Sequence, residues 1–212
     1  MTDRYLIGNA QTIGSREIQN NVFSTAFNDT GDLLAILADG TIDHPNGRIA
    51  ALIAVGCCVN TFIQKSSSVE SRETSQFLLD TALKANRSVQ DAVYVGKGPR
   101  LSLTMALFRG KELHCFSVGL NKTFLYNGHN EKALGADAKN SFFNGKCDLS
   151  RKNTVGILSA GAYAQAHPME RIRIIESDRD IFEKAQAIIE SVSNKRLAVQ
   201  LSATALLIEV LK

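Results

Sequence analysis

The sequence has no long uninterrupted apolar run, no strong excess of either charge, and no pair of cysteines at disulfide-framework or zinc-knuckle spacing. Each absence removes a class. The best apolar stretch, Ile49 to Val59, is far shorter than the roughly 20 residues a transmembrane helix needs. Met1 to Gly8 lacks a basic segment leading into an apolar run. A soluble, cytoplasmic protein with no membrane association is therefore expected. The formal net charge is only +3, and the basic residues are scattered apart from small clusters such as Arg151-Lys152 and Arg171/Arg173, so nucleic acid is not implied as a partner. Cys57, Cys58, Cys115 and Cys147 form no C-x-x-C pair and are read as reduced core residues. His114 and His167 have no partner at catalytic or metal spacing.

What is present is enough apolar material for one compact domain spanning 1–212, since 44% of the 212 residues are hydrophobic. The first third reads as strands at Tyr5 to Ile7, Val22 to Phe27 and Leu33 to Ala38, with Asp29-Thr30-Gly31-Asp32 as a hairpin turn. Apolar residues at helical spacing predict helices over Asn46 to Lys65 and Val69 to Arg87, the second ending in a Gly-Pro loop at Gly96 to Pro99. Leu101 to Phe108, Leu113 to Val118 and Thr123 to Tyr126 then predict an antiparallel meander. A less regular region from Asn130 to Asn153 precedes an apolar run at Thr154 to Ser159. His167-Pro168 reads as a turn, Asp178 to Val192 as a helix and Thr204 to Leu211 as a last strand. This order fits two stacked antiparallel sheets with helices outside, or a simpler two-layer α+β domain.

Several segments carry a resemblance. Gly14-Ser15-Arg16-Glu17-Ile18-Gln19-Asn20-Asn21, just before a strand, is similar to G-x-R-x-x-N-[EQ]-D. Ala38-Asp39-Gly40-Thr41-Ile42-Asp43-His44-Pro45-Asn46-Gly47-Arg48-Ile49-Ala50 is similar to A-D-G-M-G-G-H-x-x-G-E-x-A at a strand-to-helix junction. Ser117-Val118-Gly119-Leu120-Asn121-Lys122 resembles N-V-G-D-S-R, Gly156 to Gly161 resembles L-L-L-x-S-D-G, and Leu201 to Ile208 stands where D-N-x-T leads a final strand. These are the motifs, in order, of the metal-dependent serine/threonine phosphatases of the protein phosphatase 2C type. The resemblance implies an α+β fold, a four-layer αββα sandwich of two antiparallel sheets flanked by helices.

Such a phosphatase uses two dications, manganese or magnesium, about 4 Å apart to hold a hydroxide that attacks phosphorus in line. In the resemblance the metal-binding acids fall at Asn20, Asn21, Asp39 with the Gly40 carbonyl, Ala160 and Leu201, and only Asp39 keeps a carboxylate. No cofactor is therefore expected, and Asp39 and Gly40 are read as a vestigial metal site. Asp43 and Asp137 are the nearby acids that could contribute in their place. Arg16 matches the arginine that contacts substrate phosphate in the family, and its guanidinium can bind an oxyanion without metal. It can equally be a strand-edge surface residue or an ion-pair partner of Asp39. His44 falls on the motif histidine, where a capping or packing role is the alternative.

The resemblance thus implies a catalytically inactive pseudophosphatase acting as a binding or regulatory module, with a protein partner such as a phosphoprotein or a protein kinase. The alternative is a divergent metal-dependent serine/threonine phosphoprotein phosphatase with an altered metal site, working through Asp39. An N-terminal-nucleophile hydrolase would need Thr2 as nucleophile. Asp3-Arg4 follow it with no glycine-rich oxyanion loop or activating lysine, which argues against that class.

Overall fold

The structure, a computed structural model, describes residues 4–40, 46–93, 101–135, 142–195 and 200–211. His44, Asp43, Asp137, Thr2 and the Gly96 to Pro99 loop lie outside them. The fold is α+β, with two antiparallel five-stranded sheets flanked by helices, and its elements divide between two compact units.

The first unit holds β1 (Tyr5–Thr12), β6 (Lys122–Tyr126), β7 (Glu131–Leu134), β9 (Thr154–Leu158) and β10 (Ala203–Val210) in the order β1-β10-β9-β6-β7. Its helices are α3 (Ala160–Gln165), α4 (Pro168–Glu176) and α5 (Ile181–Ser193). Ile181, Ala185, Ile188, Ile189 and Val192 recur at helical spacing and pack on Ala203, Ala205 and Leu207, alternate residues of β10. Asp180 starts α5 with a capping box, its carboxylate accepting from Glu183 N while the Glu183 side chain accepts from Asp180 N.

The second unit holds β2 (Asn21–Phe27), β3 (Leu33–Gly40), β4 (Leu101–Arg109), β5 (Glu112–Val118) and β8 (Phe142–Asp148), ordered β2-β3-β4-β5-β8, with α1 (Gly47–Lys65) and α2 (Thr74–Val93). Strand β3 is an interior strand of its sheet, and Leu33 to Ala38 are all buried. Its Leu34, Ile36 and Ala38 meet Ala50, Ala51, Ala54, Cys58 and Phe62 of α1, whose small residues let the helix sit close to the sheet. The β2–β3 hairpin closes through Asn28, whose Oδ1 accepts from Thr30 N at 3.1 Å and Asp32 N at 2.8 Å.

Seven expectations are corrected. Strand β6 does not continue the β4–β5 meander; it belongs to the other sheet and pairs with β7 and β9. The region read as irregular contains β7 and β8, whose mixed exposure gives no clean alternation. Helix α2 starts later than Val69, after two one-turn 3₁₀ segments at Ser66–Ser68 and Ser71–Glu73. His167-Pro168 is not a turn but the start of α4: His167 is the N-cap, accepting from Met169 N, and Pro168 takes the first helical position. Arg171, read as half of a basic cluster, is buried. Its Nε donates to Glu131 at 3.1 Å and its guanidinium lies 4.5 Å from the Tyr163 ring centre. The four cysteines are free thiols, but only Cys58 and Cys115 are buried; Cys57 and Cys147 are half-buried. Helix α1 with its following turn, Gly47–Ser68, is long and apolar enough by length and composition to cross a membrane, contrary to the reading of Ile49 to Val59 as too short. A core helix meets the same test, and one face of α1 is packed on β3.

One arginine ties the second unit together. Arg109 Nε donates to Asp32 Oδ2 at 2.8 Å, Nη1 to Val69 O and Thr74 Oγ1 at 2.9 Å each, and Nη2 to Ser66 O at 2.8 Å. It thus joins the end of β4 to the hairpin and the α1–α2 connection. Arg109→Met leaves Asp32 buried without its countercharge, and a loss of about 3–5 kcal/mol in urea unfolding at pH 7 is expected. A loss below about 1 kcal/mol would show the network to be incidental.

Candidate functional site

The motif residues of the second unit stand at one end of its sheet. Asn20 and Asn21 enter β2, while Asp39 and Gly40 leave β3. Asn21 is in register with Asp39, and Asp39 with Ser102 of β4, so an amide, a carboxyl and a hydroxyl form a row on one face. That face is turned away from α1, because the alternate residues Ala38 and Ile36 pack with the helix. Gly40 N donates to Asn20 O at 3.3 Å. A Cβ at Gly40 would lie 2.0 Å from the Gly47 carbonyl oxygen, so the strand end and the start of α1 touch backbone to backbone.

Asn121 stands in the segment that resembles N-V-G-D-S-R. It is fully buried, and its Nδ2 donates to Leu37 O at 3.2 Å, which fixes the β5–β6 connection beside the end of β3. The motif match at Gly119 to Lys122 was the available signal.

In the first unit, Ser159 closes β9 and caps α3: its Oγ accepts from Ala162 N at 3.4 Å and from Thr204 N at 3.0 Å. Ala160 is therefore the first residue of α3. A Cβ at Gly161 would lie 2.3 Å from Ser202 O and 2.9 Å from Leu201 Cβ, so only glycine fits where α3 meets the segment before β10. Ser15 N donates to Gln200 O at 2.9 Å and Gln200 N to Ser15 Oγ at 3.1 Å, which pins the Arg16 loop to the same segment. Arg16 follows β1 in this loop and is half-buried, so it is not a strand-edge surface residue. Its Nε is buried with no hydrogen-bond partner among the described residues. The segments bearing Arg16, Ala160 and Leu201 are thus brought together in the first unit, and Asn20, Asn21, Asp39 and Gly40 in the second.

The chemistry of these positions is short of charge. Among the described residues no group of three or more His, Cys, Asp or Glu side chains could hold a metal ion. The motif positions offer one carboxylate, Asp39, with asparagine amides and the Gly40 carbonyl, while Ala160 and Leu201 present hydrocarbon. Amide and carbonyl oxygens can ligate a hard cation but do not neutralise it, so this donor set does not fit a pair of dications. Burial pushes the Asp39 carboxyl up from 3.8 to about 6.

Three bacterial enzymes illustrate what the fold matches. The S. agalactiae serine/threonine phosphatase superposes with a TM-score of 0.87 at 17% identity, over 97% of this chain and 99% of that one. The catalytic domain of the serine/threonine phosphatase PstP, in complex with two manganese ions, gives 0.82 at 13% identity over 99% of each chain. The phosphatase Stp1 from Staphylococcus aureus gives 0.83 at 13% identity, over 97% of this chain and 94% of that one. No family sequence model and no curated protein sequence matches the chain. The resemblance read from the motifs is therefore matched at the level of fold.

The raised Asp39 value makes a signed prediction. Between about pH 4 and 6 the unfolded chain releases this proton while the folded chain keeps it, so the contribution of Asp39 falls as pH rises and levels off above pH 6. Asp39→Asn is expected to stabilise the protein by about 2 kcal/mol at pH 8 and by little at pH 4, read from urea midpoints. Equal effects at both pH values would contradict burial as the cause.

Proposed function

We propose that this chain is a degenerate relative of the protein phosphatase 2C class, catalytically silent and used as a binding or regulatory module. The observation that carries the reading is selective. The glycines that match the motifs, Gly40 and Gly161, are present and sit at close backbone approaches. Four of the five acidic positions beside them are neutral: Asn20, Asn21, Ala160 and Leu201. A two-metal mechanism needs negative charge to retain its ions and the hydroxide between them; a scaffold that only binds does not. PstP is a neighbour described with two manganese ions, and the corresponding chemistry here has one carboxylate to rest on.

The proposed partner is a protein, either a phosphoprotein or a protein kinase. Arg16 supports the phosphoprotein case, because a guanidinium with a buried, unpartnered Nε retains donors for an oxyanion.

The test is hydrolysis of an aryl phosphate at millimolar manganese or magnesium. The expected result is no turnover above the metal-only background, and no difference between the native chain and Asp39→Ala. Metal-stimulated turnover lost in Asp39→Ala would establish the divergent enzyme instead.

A further inference from the structure

Among the described residues, the face of helix α1 turned away from β3 is apolar and exposed along its middle, while Ile53 and Val59 at its edges are half-buried against the core. Its buried face is Ala50, Ala51, Ala54, Val55, Cys58 and Phe62. Its opposite face carries Ile49, Leu52 and Ile63, each about half exposed at 50%, 48% and 50%, with Gly56 exposed between them. At 3.6 residues per turn, Ile49, Leu52, Ile53, Gly56, Val59, Asn60 and Ile63 fall within an arc of about 120°. Asn60 is the only polar side chain among them. A surface helix normally presents charge there, and a contiguous apolar patch marks an interaction site.

Among the described residues nothing packs on Gly56 that requires a glycine there. It is not in the positive-φ region, and a Cβ built on it meets nothing within 4 Å. In a helix interior glycine costs about 1 kcal/mol relative to alanine, so the fold bears a cost with no packing return. A missing side chain at the centre of an apolar stripe does allow a second helix to approach closely.

The arrangement about Gly56 also selects the occupant. Ile49 and Ile63 lie seven positions to either side, Ile53 and Val59 three, and Leu52 and Asn60 four. An antiparallel crossing at Gly56 sets each position against its mirror, so isoleucine meets isoleucine and Ile53 meets Val59, with Leu52 against Asn60 the one mismatch. Self-complementarity of this kind is what a two-fold isologous contact requires. The cationic residues Arg48 and Lys65 lie just beyond the stripe at its two ends and would remain at a solvated rim. We infer that the exposed face of α1 is the contact by which two copies of this chain form a dimer, with the helices crossing at Gly56.

The test is sedimentation velocity on the full chain from about 1 to about 100 µM. The native protein should show a monomer–dimer equilibrium obeying mass action. Gly56→Arg and Leu52→Glu should each weaken it at least tenfold without lowering the melting temperature of the monomer. Gly56→Ala adds only a methyl group, and should raise the melting temperature while weakening the dimer. A native chain that is monomeric throughout, or a dimer unmoved by these substitutions, overturns the inference. So does binding of a monomeric native chain to phosphatidylcholine/phosphatidylglycerol vesicles that is lost in Leu52→Glu, since the face would then belong to lipid.

Discussion

Two close backbone approaches stand beside the motif residues Asp39 and Ala160. At Gly40 the end of β3 lies against the start of α1, and at Gly161 the start of α3 lies against Ser202. A methyl group at either place would sit 2.0–2.3 Å from a carbonyl oxygen, a distance that only backbone displacement can relieve. Each approach makes a shelf of closely packed backbone. Asp39 and the asparagines stand on one shelf, with Ala160 and Leu201 on the other.

What stands on those shelves is a matter of charge rather than shape. Burial strips hydration from the charged form of the Asp39 carboxyl, and its upward shift is the direct result. Dications would invert that balance, but one negative charge compensates little of their four positive charges in a desolvated place. On the proposed reading, asparagine, alanine and leucine at these positions avoid the mutual repulsion that buried carboxylates without counter-ions would have. On this reading geometry outlasts chemistry, since glycine contacts serve folding and acids serve only the metals.

The fold was legible where period and local chemistry agreed. The β2–β3 hairpin, α1, β4, β5, α5 and β10 each carry a clean apolar pattern or turn signal, and the structure places them within a few residues of expectation. Strand β6 misled because a short turn from β5 looks the same whether the next strand pairs beside it or enters another sheet; pairing is a non-local choice that Gly119 to Asn121 does not encode. Strands β7 and β8 were invisible because their exposed and half-buried residues do not alternate. Helix α4 hides behind Pro168 and a buried arginine, and Arg171 is tolerated only because Glu131, distant in sequence, meets it. Of the site, the row Asn21–Asp39 was readable from the motifs. The buried amide of Asn121 and the pinning of the Arg16 loop by Gln200 needed coordinates.

The central claim is that these positions do not retain a pair of dications, and calorimetric titration of manganese into the native chain addresses it directly. The account predicts no saturable heat up to about millimolar metal, at which a Kd of 1 mM would correspond to about 4 kcal/mol of binding. Two-ion stoichiometry with micromolar affinity, abolished by Asp39→Ala, would contradict it.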